Sequence, residues 1–258
     1  MANNTRDIQI RMNTVKNTSQ ITNAMKLVSM SKYQHYARLV DELEDFLKEM
    51  KHIKVETTEA EEMDTEHGLA ICFSADLGLA SLYHNSIYKQ LRAAGFKNVV
   101  WIGKKLYDRV CNEADFHVLN EQMIASEKVD VNQLFADVLE WMKDYPIYIA
   151  RPRLISGETI EVDWVSGDKQ LVDSDFVDYY PDRESANARF FEMNLLVTLY
   201  DGLYSSKTTE HMIRRLSMDT ATDNAQSLYD DLQLRYNRLR QEKITQEILE
   251  LSSGMESR

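Results

Sequence analysis

The chain has 258 residues, enough for one large domain or two small ones with a hydrophobic core. Its net charge of −12 is opposite in sign to that of a general nucleic-acid binder, so we expect no nucleic-acid partner. Only 8 glycines and 3 prolines are present, and this scarcity of helix breakers favours long uninterrupted helices.

The N-terminal part of the chain contains no glycine before Gly68 and no proline before Pro146. The sequence therefore predicts one long helix over about residues 4–54. Its second half has a coiled-coil seam with apolar residues spaced alternately three and four apart: Tyr36, Leu39, Leu43, Phe46, Met50 and Ile53. Its first half, residues 13–31, is uncharged and polar at many positions. That half fits either a simply exposed helix or a helix inside a protein sleeve that must not grip it tightly.

The middle of the chain alternates strand-like and helix-like segments. Strands are predicted at 69–73, 99–102, 147–149 and 159–165, with a turn at 156–158. Helices are predicted at 80–94 and at 131–143, and a further helical stretch follows the strand at 99–102 and ends at about residue 112. Such an alternation is typical of a sheet covered by helices.

The C-terminal part resembles the N-terminal part in its lack of breakers. A heptad seam is formed by Met218, Ala221, Ala225, Leu228, Leu232 and Leu239, with Arg235 interrupting it. We therefore predict an α/β fold class, with a long antiparallel coiled coil of the terminal helices and a central α/β domain. The expected boundaries are 1–57 for the first coiled-coil helix, 68–180 for the central domain and 185–258 for the second coiled-coil helix.

Signals for chemistry are weak throughout the sequence. Residues 74–81 form a strand–loop–helix that could hold a phosphate, but with one glycine and no lysine a plain turn is the favoured interpretation. The six histidines are scattered, and Cys72 and Cys111 form no CxxC pair, so we expect no catalytic, cofactor or metal residues. The cysteine usage favours a reducing compartment.

Targeting signals are not evident either. Residues 1–11 are polar and lack the apolar core of a signal segment, and no run of about 18 apolar residues is present to span a membrane. A basic group on the C-terminal helix, Arg235, Arg238, Arg240 and Lys243, is either a solvated face, which the pattern favours, or a docking face for acidic loops of a partner.

Two long motifs carry a resemblance to a known family. Residues 15–29, VKNTSQITNAMKLVS, resemble the N-terminal signature of the gamma subunit of the F-type rotary ATP synthase. Residues 218–248, MDTATDNAQSLYDDLQLRYNRLRQEKITQEI, resemble that family's C-terminal signature. The motifs lie at the matching ends and in the matching order, whereas the middle agrees in layout only.

This resemblance implies a shaft inside a hexamer of alpha and beta subunits. It also implies that a Rossmann-like body docks on the membrane ring of c subunits and holds the epsilon subunit. ATP would be cleaved on beta, so no catalysis and no cofactor are implied for this chain. The implied location is peripheral, on the cytoplasmic face of a bacterial plasma membrane.

The resemblance also implies partner-binding residues. The positions that match shaft residues contacting loops of the catalytic subunits are Arg214, Arg240, Gln241 and Thr245, with Gln246 and Glu247 in the same motif. Met25 matches the methionine that meets a beta-subunit loop.

One segment departs from the family pattern. Where the family has a glycine-rich DRGLCGGxN, residues 76–85 read DLGLASLYHN and lack the paired glycines. Two alternatives to a rotor therefore stay open. The first is a gamma-derived adaptor or regulator that does not rotate, and the second is a nucleotide-using α/β enzyme with a helical arm.

Overall fold

The computed structural model describes residues 2–50, 63–156, 159–167 and 182–256. In chain order the elements are α1 (Ala2–Met50), β1 (Leu69–Phe73), α2 (Ser81–Ala94), β2 (Asn98–Ile102), α3 (Tyr107–Asn112), β3 (His117–Val118), α4 (Val131–Trp141), β4 (Ile147–Ser156), β5 (Thr159–Ser166) and α5 (Arg183–Glu256). The predicted fold class, terminal helices around a central α/β sheet, is confirmed. The predicted helix residues 51–54, seam residue Ile53, and turn residues 157 and 158 lie outside the described residues, as do parts of the expected domains.

The chain divides into two compact units. Unit 1 consists of Met1–Ser29 and Arg215–Arg258, and unit 2 consists of Met30–Arg214. Both long helices contribute to both units, and unit 2 is therefore larger than the predicted central segment 68–180.

Unit 2 contains one five-stranded sheet in the order β3-β2-β1-β4-β5. The first four strands are parallel, and β5 runs antiparallel to β4. Every residue of β1 is buried, which agrees with its position in the middle of the sheet and with its unbroken apolar run. Gly95 ends α2 with a φ of +86°, as its place after the predicted helix indicated.

The sequence prediction missed two features of the sheet. The two-residue β3 is too short to carry an alternating pattern, and it is defined by its pairing with Asn98 and Val99. Strand β4 continues to Ser156 because it pairs with β5 over that length. The sequence prediction ended β4 at Ile149, since Arg151, Pro152 and Arg153 interrupt the apolar run.

The core of unit 2 lies between the sheet and helices α4 and α5. Leu195, Leu199 and Leu203 of α5 follow one another at intervals of four and are at most 7% exposed. The first part of the helix predicted as coiled coil from residue 185 therefore serves as core for the sheet. No proline follows Pro181, so no proline marks a boundary between the two roles.

Unit 1 contains two antiparallel helices joined by polar contacts. Thr22 Oγ1 lies 2.8 Å from Thr222 Oγ1, and Lys26 Nζ lies 2.8 Å from Asp219 Oδ1. Met218, Ala225 and Leu232 of the predicted seam are buried, at intervals of seven. Leu228 was also predicted in the seam, but it is 50% exposed.

We predict that Gly202→Ala lowers the free energy of unfolding by about 1–3 kcal/mol, because a Cβ there meets Ile149 Cγ2 of the sheet at 2.5 Å. The matched control is Gly78→Ala, whose added Cβ has no neighbour within 4 Å. Urea unfolding of both variants at low protein concentration measures the difference. Equal midpoints for the two variants would contradict a tight approach of α5 to β4.

Candidate functional site

The loop after β1 was a possible phosphate site in the sequence, although a plain turn was favoured. In the structure, hydrogen bonds from neighbouring segments of the chain hold this loop. The carboxylate of Asp76 accepts backbone hydrogen bonds from Lys104 at 3.1 Å, Ser126 at 3.0 Å and Glu127 at 2.8 Å. Burial by itself raises the pKa of Asp76, but these N–H donors hold that pKa below its ordinary value. The carboxylate therefore ties together three segments at the carboxyl edge of the sheet, and the geometry supports a structural turn.

A buried charged cluster lies beside this loop. We define the buried cluster as Lys207, Glu210, His211 and Arg214, which share one face of α5 at helical spacing. Glu210 accepts from Lys207 Nζ at 3.3 Å and from Arg214 Nη2 at 2.6 Å. All four residues are at most 3% exposed, so one buried carboxylate pairs with two buried cations.

Arg214 was implied as a direct contact for a partner loop, whereas the structure gives it partners within the chain. It is 3% exposed, and it donates to the carbonyl oxygens of Leu77 and Gly78 at 3.3 Å each, in addition to Glu210. The guanidinium is therefore engaged within unit 2. Burial of this kind depends on a loop 136 residues away in sequence, which no local pattern reveals.

His211 is held neutral inside the cluster. Its Nδ1 accepts from Arg214 Nη1 at 3.1 Å, and its ring stacks on Tyr36 of α1 at a centroid distance of 5.8 Å. Burial, and after it the charge of Arg214, lowers the pKa of His211 to about 3. The other charged side chains that act on the ring are Lys32, Lys207 and Glu127.

The other six implied contact residues lie in unit 1. Five are exposed along α5: Arg240, Gln241, Thr245, Gln246 and Glu247. Met25 is half-buried on α1, and its neighbour Lys26 pairs with Asp219, about six helical turns before Arg240. The structure therefore brings the C-terminal five together on consecutive turns, and it places Met25 at a separate level of the same unit.

Exposed apolar side chains are the main feature of unit 1 that the sequence prediction missed. They are between 48% and 70% exposed: Ile10, Ile21, Leu27, Val28, Leu228, Leu234, Ile244, Ile248 and Leu249. They are spread along both helices of the unit and are not gathered on one face of one helix. The available signal was the absence of one tidy apolar stripe along the N-terminal helix.

Within the described ranges no three His, Cys, Asp or Glu side chains converge as metal ligands would. Burial raises the pKa of the Cys72 thiol, which lies in the middle of β1. None of the helices in the part of the chain that the structure describes combines the length and the apolar character needed to cross a membrane.

Comparisons with known proteins give a consistent result. The family model described as ATP synthase matches residues 4–257. The ATP synthase gamma chain of Mycoplasma genitalium is 28% identical, over 96% of this chain and 98% of the relative, and that of Magnetococcus marinus is 27% identical, over 98% of each. The rotor of the Euglena gracilis mitochondrial ATP synthase has a similar fold, with a TM-score of 0.68 at 14% identity, over 95% of this chain and 100% of that one. The central stalk/c-ring structure from Tetrahymena thermophila matches 78% of this chain and 99% of its own with a TM-score of 0.55 at 16% identity.

We predict that His211 makes the fold sensitive to acid. Its pKa is about 3 in the folded chain and about 6.5 when unfolded, so between these values only the unfolded state takes up the proton. The free energy of unfolding must therefore fall as pH decreases through this window, by about 2 kcal/mol between pH 7 and pH 5. His211→Gln removes that part of the pH dependence while keeping an acceptor for Arg214.

Urea unfolding of the wild type and His211→Gln at pH 7 and pH 5 measures the difference. The control is His117→Gln, which replaces an exposed histidine of β3 and leaves His211 in place. Parallel stability curves for the wild type and His211→Gln would show that His211 is not held neutral.

Proposed function

The chain belongs to the ATP synthase family, whose model matches residues 4–257, and we propose that it is the gamma subunit, the central rotor shaft. In this role it couples ion flow through a membrane ring to ATP synthesis or hydrolysis in a hexamer of alpha and beta subunits. The relatives with which it aligns over nearly their whole length are gamma chains, which supports this choice within the family.

The observation that carries the proposal is the surface of unit 1. Two helices share a narrow, partly polar seam and present isolated apolar side chains, with the last turns of α5 exposed from Gln241 to Glu250. A shaft inside a protein sleeve needs contact on several sides without one deep apolar lock. Scattered apolar side chains among uncharged polar ones meet that requirement, and the sleeve interpretation of residues 13–31 is the one we adopt.

We assign the partners by unit. The alpha–beta hexamer surrounds unit 1, and unit 2 meets the c-ring and the epsilon subunit. The similar solved structures are a rotor, an F1/c-ring assembly and a central stalk with its c-ring, which supports this assignment. We further propose that ATP chemistry belongs to beta, so that this chain alone is not an enzyme and takes no cofactor. Its proposed location is peripheral, on the cytoplasmic face of a bacterial membrane.

The proposed contact residues are the five exposed residues of α5, Arg240, Gln241, Thr245, Gln246 and Glu247, together with Met25. Arg240 offers a planar group that can hold a carboxylate by two hydrogen bonds, and Gln241 follows it on the same turn. Arg214 is not among the proposed direct contacts, because its N–H groups already donate to Gly78, Leu77 and Glu210 within unit 2.

The adaptor alternative is favoured by one observation, the departure of residues 76–85 from the glycine-rich family pattern. In this chain Asp76 and Arg214 hold that loop through internal hydrogen bonds. An adaptor would bind the alpha–beta hexamer or part of it without being needed for turnover. Activity of the complex therefore separates the two functions.

We predict that co-expression with the alpha and beta subunits of the same organism yields a complex whose ATPase activity needs this chain. Arg240→Ala combined with Gln241→Ala lowers that activity about tenfold, since truncating an interfacial arginine costs about 1–2 kcal/mol and about 1.4 kcal/mol is a factor of ten. ATPase assays of the purified complexes in moderate salt measure the change.

The control variant is Arg238→Ala, two residues earlier on the same helix, whose guanidinium pairs with Glu242 at 3.1 Å. It removes one charge from the helix and leaves the proposed contacts in place, so its activity stays near that of the wild type. A complex that hydrolyses ATP equally well without this chain would favour the adaptor. Failure to form any complex would contradict both functions.

A further inference from the structure

The sheet of unit 2 has a place where proteins of this architecture bind ligands. In open α/β sheets, ligands bind at the carboxyl ends of the strands, where the strand order reverses. In this sheet that place lies between β1 and β4, since β2 and β3 extend from one side of β1, and β4 and β5 from the other. The residues that follow the carboxyl end of β1 include Asp76, described above.

Helix α5 lies across this place. Thr209 Oγ1 donates to the carbonyl oxygen of Pro152 in β4 at 3.1 Å. Two residues earlier, Lys207 Nζ donates to Ser126 Oγ at 2.6 Å, in the segment between β3 and α4. The amide of Ser126 in turn donates to Asp76, so one turn of α5 is connected to both sides of the carboxyl end of β1.

Lys207 is at the centre of these contacts. The residue is 2% exposed, its ammonium contacts Ser126 and Glu210, and its charge acts on Asp76. A buried ammonium is costly unless acceptors and negative charge surround it, and here both are present. The surface residue Lys97 contrasts with it, since its ammonium pairs with Glu66 and its side chain is 60% exposed.

We propose that the side chain of Lys207 takes the place of a bound ligand in the α/β unit. Its ammonium lies at the carboxyl edge of the sheet, against Ser126 and Glu210, on the edge where a small molecule binds in other sheets of this kind. There it positions α5 against the loops at Asp76 and Ser126. Lys207 is thus a positioning residue. Its consequence for rotation is that the unit 2 part of α5 and the sheet turn as one body, and this consequence rests on the proposed function.

The proposal distinguishes charge from packing. Lys207→Met keeps most of the volume and removes the ammonium, so it tests charge. Lys207→Ala removes the ammonium and all but the first carbon of the four-carbon stem. The missing part corresponds to n-propylammonium, and the vacated pocket keeps the acceptors Ser126 and Glu210 for it.

The first experiment uses the full chain alone at low micromolar concentration. Lys207→Ala lowers the thermal midpoint by about 6–15 °C, as expected when one partner of a buried ion pair is removed. Added n-propylammonium then recovers about half of that loss, because a ligand bound only by the folded state stabilises it. Hydrogen exchange at the amides of Ser126 and Glu127, which speeds up in the variant, slows again with the amine.

The controls use a second site and a second probe. Lys97→Ala, at the exposed pair with Glu66, shows no rescue by the amine. The uncharged probe n-propanol does not rescue Lys207→Ala, because it leaves Glu210 without the second cation. Equal effects of n-propanol and n-propylammonium, or no effect of either on the variant, would overturn the proposal.

The closing experiment measures ATP-driven ion transport and ATP hydrolysis by the assembled complex in membrane vesicles. We expect Lys207→Met to lower the number of ions transported per ATP at least about threefold, while Lys97→Met keeps the wild-type ratio. A wild-type complex that does not couple hydrolysis to transport would count against the proposed function and leave the amine rescue to decide on Lys207. If the wild-type complex couples hydrolysis to transport and the Lys207→Met complex transports the same number of ions per ATP, the positioning role of Lys207 alone would be overturned.

Discussion

The buried carboxylate of Glu210 joins the two cations that connect α5 to the loops at the carboxyl edge of the sheet. This single buried carboxylate accepts from Lys207 and from Arg214, and each of those cations reaches a different loop at the carboxyl edge of the sheet. Without it, two positive charges would stand side by side in the interior at a cost of several kcal/mol. This arrangement connects α5 to two loops at the carboxyl edge of the sheet, beside the apolar core that packs α5 against the sheet.

The elements that could be predicted are those whose cause is local. Long helices follow from the absence of glycine and proline, and β1 follows from an unbroken apolar run. The elements that could not be predicted depend on distant partners. Strand β3 exists only by pairing with β2, and the burial of Arg214 depends on carbonyl groups at residues 77 and 78.

The two units rely on different forces. Unit 2 is held by a conventional apolar core around β1 and α5, with the charged cluster at its edge. Unit 1 relies on a row of buried residues at every seventh position, supplemented by the hydroxyl pair of Thr22 and Thr222 and the ion pair of Lys26 and Asp219. This ion pair is half-buried and contributes about 1 kcal/mol or less, so it adds only modestly to the buried row. The proposed contact residues at 240–247 rest on the family motif and not on physics, because an exposed polar helix face looks the same with and without a partner.

The exposed isoleucine, leucine and valine side chains of unit 1 have a consequence for handling the protein. In the free chain they face water, and two copies that meet can cover them against each other. Because encounters rise with the square of concentration, self-association competes with partner binding most strongly when the chain is abundant and its partners are scarce. Synthesis of the chain alongside its partners is therefore the physically favoured route to soluble material, whereas concentrating it alone favours precipitation.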